Sequence, residues 1–212
     1  MRGAATRVLT LAGIMAPVVY AGAVIYCGAM RPGYDHVTQF ISELAERGSP
    51  TEMTMRVAGF WVPGLLILAF AMSLLTRPVA WPVALLLVIH GIGRVTSGIF
   101  PCDPGCRATG ASFSQMMHNG AAVVNALTVL AAATIWSFSA RTAGCRRFAL
   151  YSLVSAIVGL VFFVLMIMDA ATRVHVGLYQ RLSFGILTLW IGALAVSLWP
   201  SGSAVADRQM GG

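Results

Sequence analysis

Apolar residues run through this chain of 212 residues in six long blocks, at 8–30, 57–75, 79–100, 117–138, 148–168 and 182–199. A helix needs about 20 residues to cross a hydrocarbon core of roughly 30 Å, and each block approaches or exceeds that length. The runs are continuous rather than alternating, so helices are predicted and a membrane barrel is not. The expected fold is all-α: a polytopic membrane bundle of six transmembrane helices in one domain over 1–200, with a short flexible cytoplasmic tail at 201–212. Arg2 and Arg7 ahead of the first block, and Ala21-Gly22-Ala23 within it, imitate a signal peptide. The apolar run continues to Met30, too long for such a segment, so a retained helix is expected.

The polar stretches between the blocks carry the candidate chemistry. In the longest, Val37, Phe40, Ile41 and Leu44 recur at i, i+3, i+4 and i+7, the stripe of a short helix lying on the membrane or against the bundle. Ser42 and Glu43 border that stripe. After the third block, Gly98-Ile99-Phe100-Pro101-Cys102-Asp103-Pro104-Gly105-Cys106 must turn tightly, and Asp103 can accept amide donors there. Cys102 and Cys106 are a disulfide candidate in an oxidising compartment; two free thiols or half a metal site are the alternatives. His118 lies 15 residues beyond Asp103. With Glu43 and Asp103 it forms a minimal acid–base set; alone it is an interfacial histidine bonded to loop carbonyls.

Arg94 interrupts the third block seven residues before Pro101, about 10 Å below that surface at 1.5 Å per residue. An arginine near mid-bilayer costs roughly 2.5–3.5 kcal/mol, so it needs a partner, a polar cavity or a route to snorkel out. His90 shares its helical face. Asp169 and Arg173 are spaced for a local ion pair, and Arg181 opens the last block.

Composition agrees with the pattern: 58% of residues are hydrophobic and 10% charged, with a mean hydropathy of +0.81. A soluble globular enzyme, a disordered chain and a disulfide-dense scaffold are excluded. All 14 basic residues are arginine, and against 7 acids they give a net charge of +7. They are scattered singly at block ends, which fits membrane lipids as partners and not nucleic acid. Seven arginines fall at one face and six at the other, so their count barely orients the bundle. The acid-free turn from Arg141 to Arg147 marks a cytoplasmic side, which places both termini inside a cell membrane and every acid but Asp207 outside. Asp35, Asp103 and Asp169 recur 68 and 66 residues apart, a spacing that either marks a repeated two-helix hairpin or is coincidence.

Phe40-Ile41-Ser42-Glu43-Leu44 with Gly48-Ser49-Pro50, then the segment from Gly98 to Gly105, then His118, and finally Gly177-Leu178-Tyr179-Gln180-Arg181 with Trp190, resemble the bacterial membrane family catalogued as domain of unknown function 998. The resemblance covers nearly the whole chain, and Phe100-Pro101-Cys102-Asp103 is its most specific part. The Ile-Ser-Glu element is distantly similar to the Frag/DRAM/Sfk six-helix proteins, some of which are tied to membrane lipid organisation. The resemblance implies a fold and important positions, and no reaction.

Three functions fit these residues. One is a lipid-handling protein whose outward pocket takes a head group through Ser42, His90, Arg94, Asp169 and Arg181, since guanidinium forks suit phosphate or carboxylate. Another is a membrane-embedded hydrolase or cyclase acting on a lipid or isoprenoid, with Glu43, Asp103 and His118 catalytic. A small transporter or accessory subunit is the third. No nucleophile elbow, phosphate loop, zinc helix or haem motif occurs, so no cofactor or metal is expected. The oligomeric state is not legible.

Overall fold

The computed structural model describes residues 2–75, 77, 80–107, 110–142 and 144–199. The expected tail at 201–212, with Asp207 and Arg208, lies outside the described residues. Six helices are long and apolar enough to cross a membrane. They are α1 (Arg2–Met30), α2 (Glu52–Leu75), α3 (Trp81–Ile99), α4 (Phe113–Thr142), α5 (Arg146–Met168) and α6 (Val176–Ser197). No strand occurs among the described residues. In a hydrocarbon solvent every backbone group must be paired within its own segment, which is why the apolar blocks become helices.

Each helix packs on its neighbours in sequence, and α1 packs on α6, so the six close into a ring. The middle of the ring is filled by Ile67, Phe70 and Leu74 of α2, Leu87 of α3, and Leu187, Trp190, Ile191 and Leu194 of α6. Trp190 is fully buried, and its indole N–H donates to Ser152 Oγ at 3.0 Å. Leu65, Leu85, Ile92, Leu150, Ile157 and Val161 are exposed on the outside, where lipid chains would cover them.

Small residues allow the closest approach. A Cβ on Gly64 of α2 would lie 2.9 Å from the Gly91 carbonyl oxygen, and a Cβ on Gly91 the same distance from Gly64 O. Backbone therefore meets backbone between α2 and α3, as small-residue contacts permit in membranes. Along α3 the buried face reads Val83, Leu87, His90, Arg94 and Ser97. It is apolar near the N-terminus and polar towards the C-terminus, so the chemistry collects at one end of the ring.

The helix expected within the first long loop takes a different form. Residues Ile41–Ala45 make one 3-10 turn, with all five side chains buried against the bundle. In a 3-10 turn positions i and i+3 eclipse, so Glu43 and Glu46 leave the same side and reach partners on other segments. The last helix also starts earlier than its apolar block, at Val176, which puts Arg181 in the second turn rather than at the start.

Candidate binding site

The loops gather at the end of the ring where the α1–α2, α3–α4 and α5–α6 connections lie, and two glutamates tie them together. Glu43 is 2% exposed. Its Oε1 accepts the Phe40 N–H at 2.9 Å and the Arg173 guanidinium at 2.7 Å, while Oε2 accepts Gln39 Nε2 at 3.0 Å. Glu46 accepts from Arg31 and from the Gly105 N–H, and Arg173 donates to Gly105 O at 2.7 Å. Gly105 of the α3–α4 loop is thereby held through its N–H by Glu46 on one side and through its carbonyl by the α5–α6 connection on the other. Arg173 does not make the expected ion pair with Asp169. It adopts φ +58 within a turn whose following amides, of Val174 and His175, Asp169 accepts, and its side chain crosses to Glu43.

Asp169 and Asp103 are turn organisers in this arrangement. Asp169 accepts from the Thr172 hydroxyl and the His175 N–H, which hold its carboxyl below the ordinary value. Asp103 accepts the Ser112 N–H and hydroxyl, each at 2.8 Å, with the same effect. Cys102 and Cys106 are joined in a disulfide, their Cα atoms 5.1 Å apart.

Gly177-Leu178-Tyr179-Gln180-Arg181 docks the first loop onto α6. A Cβ on Gly177 would lie 2.1 Å from Gln39 O, so only glycine lets the loop pass. The Leu178 N–H donates to Val37 O at 3.0 Å, and Gln180 Oε1 accepts the Ile41 N–H. Arg181 donates to His36 O, Gln39 O and Tyr34 Oη. Burial pushes the Tyr34 hydroxyl up to about 12, which keeps the proton it gives to Phe40 O. Arg181 is thus a clamp on the loop, turned away from the cavities described next.

His118 does not share a hydrogen bond with Glu43 or Asp103. Its Nδ1–H lies 3.0 Å from Ser97 O and 2.9 Å from Phe100 O, two carbonyls at the C-terminal end of α3. The three groups assigned to acid–base chemistry are therefore engaged in three separate networks. Among the described residues no cluster of three His, Cys, Asp or Glu side chains is arranged to hold a metal.

Two cavities meet at His118. An open cleft of about 800 Å³ runs between α4 and α5. Its walls are apolar, with Ala122, Val123, Phe163 and Ile167, and its rim is polar, with Arg107, Thr172 and Arg173. Val123 and Ile167 are also exposed on the outside of the ring, so the cleft opens sideways. Behind it lies a chamber of about 30 Å³, lined by Tyr20, Phe60, Arg94, Ser97, Asn125 and Phe184 among others. Ser42, His118, Ala122 and Gln180 border both spaces.

Arg94 is 2% exposed. Its Nη2 donates to Gly59 O at 3.1 Å, its guanidinium lies 4.2 Å from the centre of the Tyr20 ring, and its Nε has no partner. Gly59 sits in a π-helical stretch, Met55–Trp61, at the start of α2. Such a stretch widens the helix and frees carbonyls, and it often marks functional positions. His90 lies one turn away with Nδ1 2.9 Å from Asn125 O and does not line either cavity. Tyr20, Asn125 and Gln180 are the lining residues that sequence patterning missed; polar atoms inside otherwise apolar helices were their only signal.

Six apolar helices closing into a ring, with polar groups drawn to one end, define a multi-pass integral membrane protein. The chain belongs to the family described as protein of unknown function, DUF998, which matches residues 14–197. No curated protein and no solved structure matches it.

Proposed function

We propose that this protein binds a membrane amphiphile with an anionic or polar head group in the cleft between α4 and α5. One observation carries the reading: the cleft has apolar walls, opens sideways between two membrane-spanning helices, and ends in a rim that includes Arg107, Thr172 and Arg173. An acyl chain would lie along Val123, Phe163 and Ile167, while the head group meets the rim. Arg173 is shared with Glu43, whereas Arg107 is exposed and has no carboxylate partner among the described residues, so Arg107 is the rim cation available to a ligand. The size falls within the usual range for small-molecule sites, roughly 300–1,000 Å³.

The loop end faces the outside of the cell membrane in this reading. A disulfide between Cys102 and Cys106 suits an oxidising compartment, and the arginine-rich turn between α4 and α5 suits the cytoplasm. Binding is favoured over acid–base catalysis because His118 has carbonyls rather than a carboxylate on Nδ1. The test is lipid extraction and mass spectrometry of protein purified in mild detergent. Ala170→Trp fills the cleft from an exposed position that lines it. The expected result is a stoichiometric anionic lipid in the wild type and its loss in the well-folded variant; equal lipid in both contradicts the reading.

A further inference from the structure

Among the described residues the buried guanidinium of Arg94 has no counter-charge. Six acids are described, and each is committed elsewhere. Glu43 pairs with Arg173, Glu46 with Arg31, Glu52 with Arg56 and Asp103 with Arg47, while Asp35 and Asp169 accept from nearby amides. What Arg94 has is one carbonyl and Tyr20, through its ring face and its hydroxyl, and a neutral phenol compensates a cation only weakly. Burying a cation in a dry interior without an opposite charge is strongly unfavourable, so a fourth component is called for.

The chamber beside Arg94 has the size and polarity for it. At about 30 Å³ it exceeds the roughly 10–15 Å³ of the same measure that one water needs. Ser42 Oγ accepts from Gln180 Nε2 at 3.5 Å, which leaves its own O–H to donate inward. Asn125 carries a buried amide oxygen without a partner, and a half-turn of that amide presents its N–H2 instead. No acid lines the chamber. The lining therefore offers the Arg94 guanidinium and the Ser42 hydroxyl as donors and holds no carboxylate, and it is closed by Tyr20, Phe60 and Phe184.

We propose that this chamber is a binding site for a small, singly charged anion, held by Arg94 and by the hydroxyl of Ser42. The anion is either a free halide or the carboxylate end of a chain seated in the adjoining cleft, because Ser42, His118, Ala122 and Gln180 border both spaces. The halide case stands without any ligand in the cleft.

The test uses the full-length protein in detergent. Melting temperature is measured against sodium chloride or bromide, with gluconate holding ionic strength constant, and separately against decanoate. A saturable rise of about 3 °C with halide supports the proposal, provided that gluconate gives none and Arg94→Gln abolishes it. A rise with decanoate that Ala170→Trp removes, while Arg94→Gln also removes it, assigns the site to a carboxylate. Crystals of the wild type grown in bromide give a reading independent of whether Arg94→Gln folds. An anomalous peak within hydrogen-bond reach of the Arg94 guanidinium supports the halide form. Absence of that peak, together with no shift from either class of anion, overturns the proposal. Loss of lipid in the cleft with halide binding intact would remove the proposed function and leave this site standing.

Discussion

Glu43 and Arg173 are 130 residues apart in sequence, yet theirs is the contact on which the loop end depends. The carboxylate is almost wholly buried and the guanidinium is 22% exposed, so little solvent screens the pair. Glu43→Ala leaves a partly buried cation beside orphaned donors on Phe40 and Gln39. The expected loss is about 3 kcal/mol, near the lower end for breaking a buried pair, seen as a fall of roughly 8 °C in melting temperature. The sequence shows Glu43 as a boundary residue and Arg173 as a neighbour of Asp169, and nothing local reveals that they meet. Arg94 is different: an arginine inside an apolar run announces its own burial, because lipid offers no other home for it.

A pH dependence belongs to the same scale. Hydrogen bonds from Ser112 hold Asp103 below the ordinary carboxylate value of 3.8, and those from Thr172 and His175 do the same for Asp169. The folded values are the lower ones, so the stabilisation is fully present above the unfolded value and is lost as pH falls through the folded values. Hydrogen-exchange protection of the Ser112 and His175 amides should stay flat from neutral pH down to about 4 and decline below it. A decline between neutral pH and 5 would assign the loop order to other groups.

At the level of elements, hydropathy alone delimits the six helices, because the bilayer forces every apolar block to pair its own backbone. The 3-10 turn and the π-helical stretch were not legible. Both make contacts with distant segments, Ile41 N–H with Gln180 and Gly59 O with Arg94, and short-range periodicity carries no record of that. Gly177→Ala should expel the first loop from α6, because the new methyl group would occupy the space of Gln39 O. Faster tryptic cleavage after Arg47, with the helices intact, is the expected readout. The disulfide closes only a short loop, so its removal by Cys102→Ser with Cys106→Ser should cost about 2 kcal/mol in the chain-entropy account. Unfolding midpoints of the two proteins, oxidised and reduced, measure this.

For the whole molecule, the closed ring turns an apolar belt outwards and draws its polar groups to one end, so the bilayer itself fixes where a ligand can approach. In the proposed function, the opening between α4 and α5 is where an amphiphile would enter from the plane of the membrane. Cys145 is exposed at the opposite end and Cys27 is buried. An impermeant maleimide applied to intact cells should therefore leave Cys145 unlabelled; rapid labelling would invert the orientation.

Photo-cross-linking locates any amphiphile bound between α4 and α5. A phospholipid carrying a diazirine on its acyl chain is incubated with the purified protein, irradiated, and the adducts are mapped by mass spectrometry. The account predicts adducts on Val123, Phe163 and Ile167, competed by unlabelled anionic lipid and lost in Ala170→Trp. Labelling spread evenly over the exposed belt at Leu65, Leu85, Leu150 and Ile157, with no excess in the cleft, would contradict it.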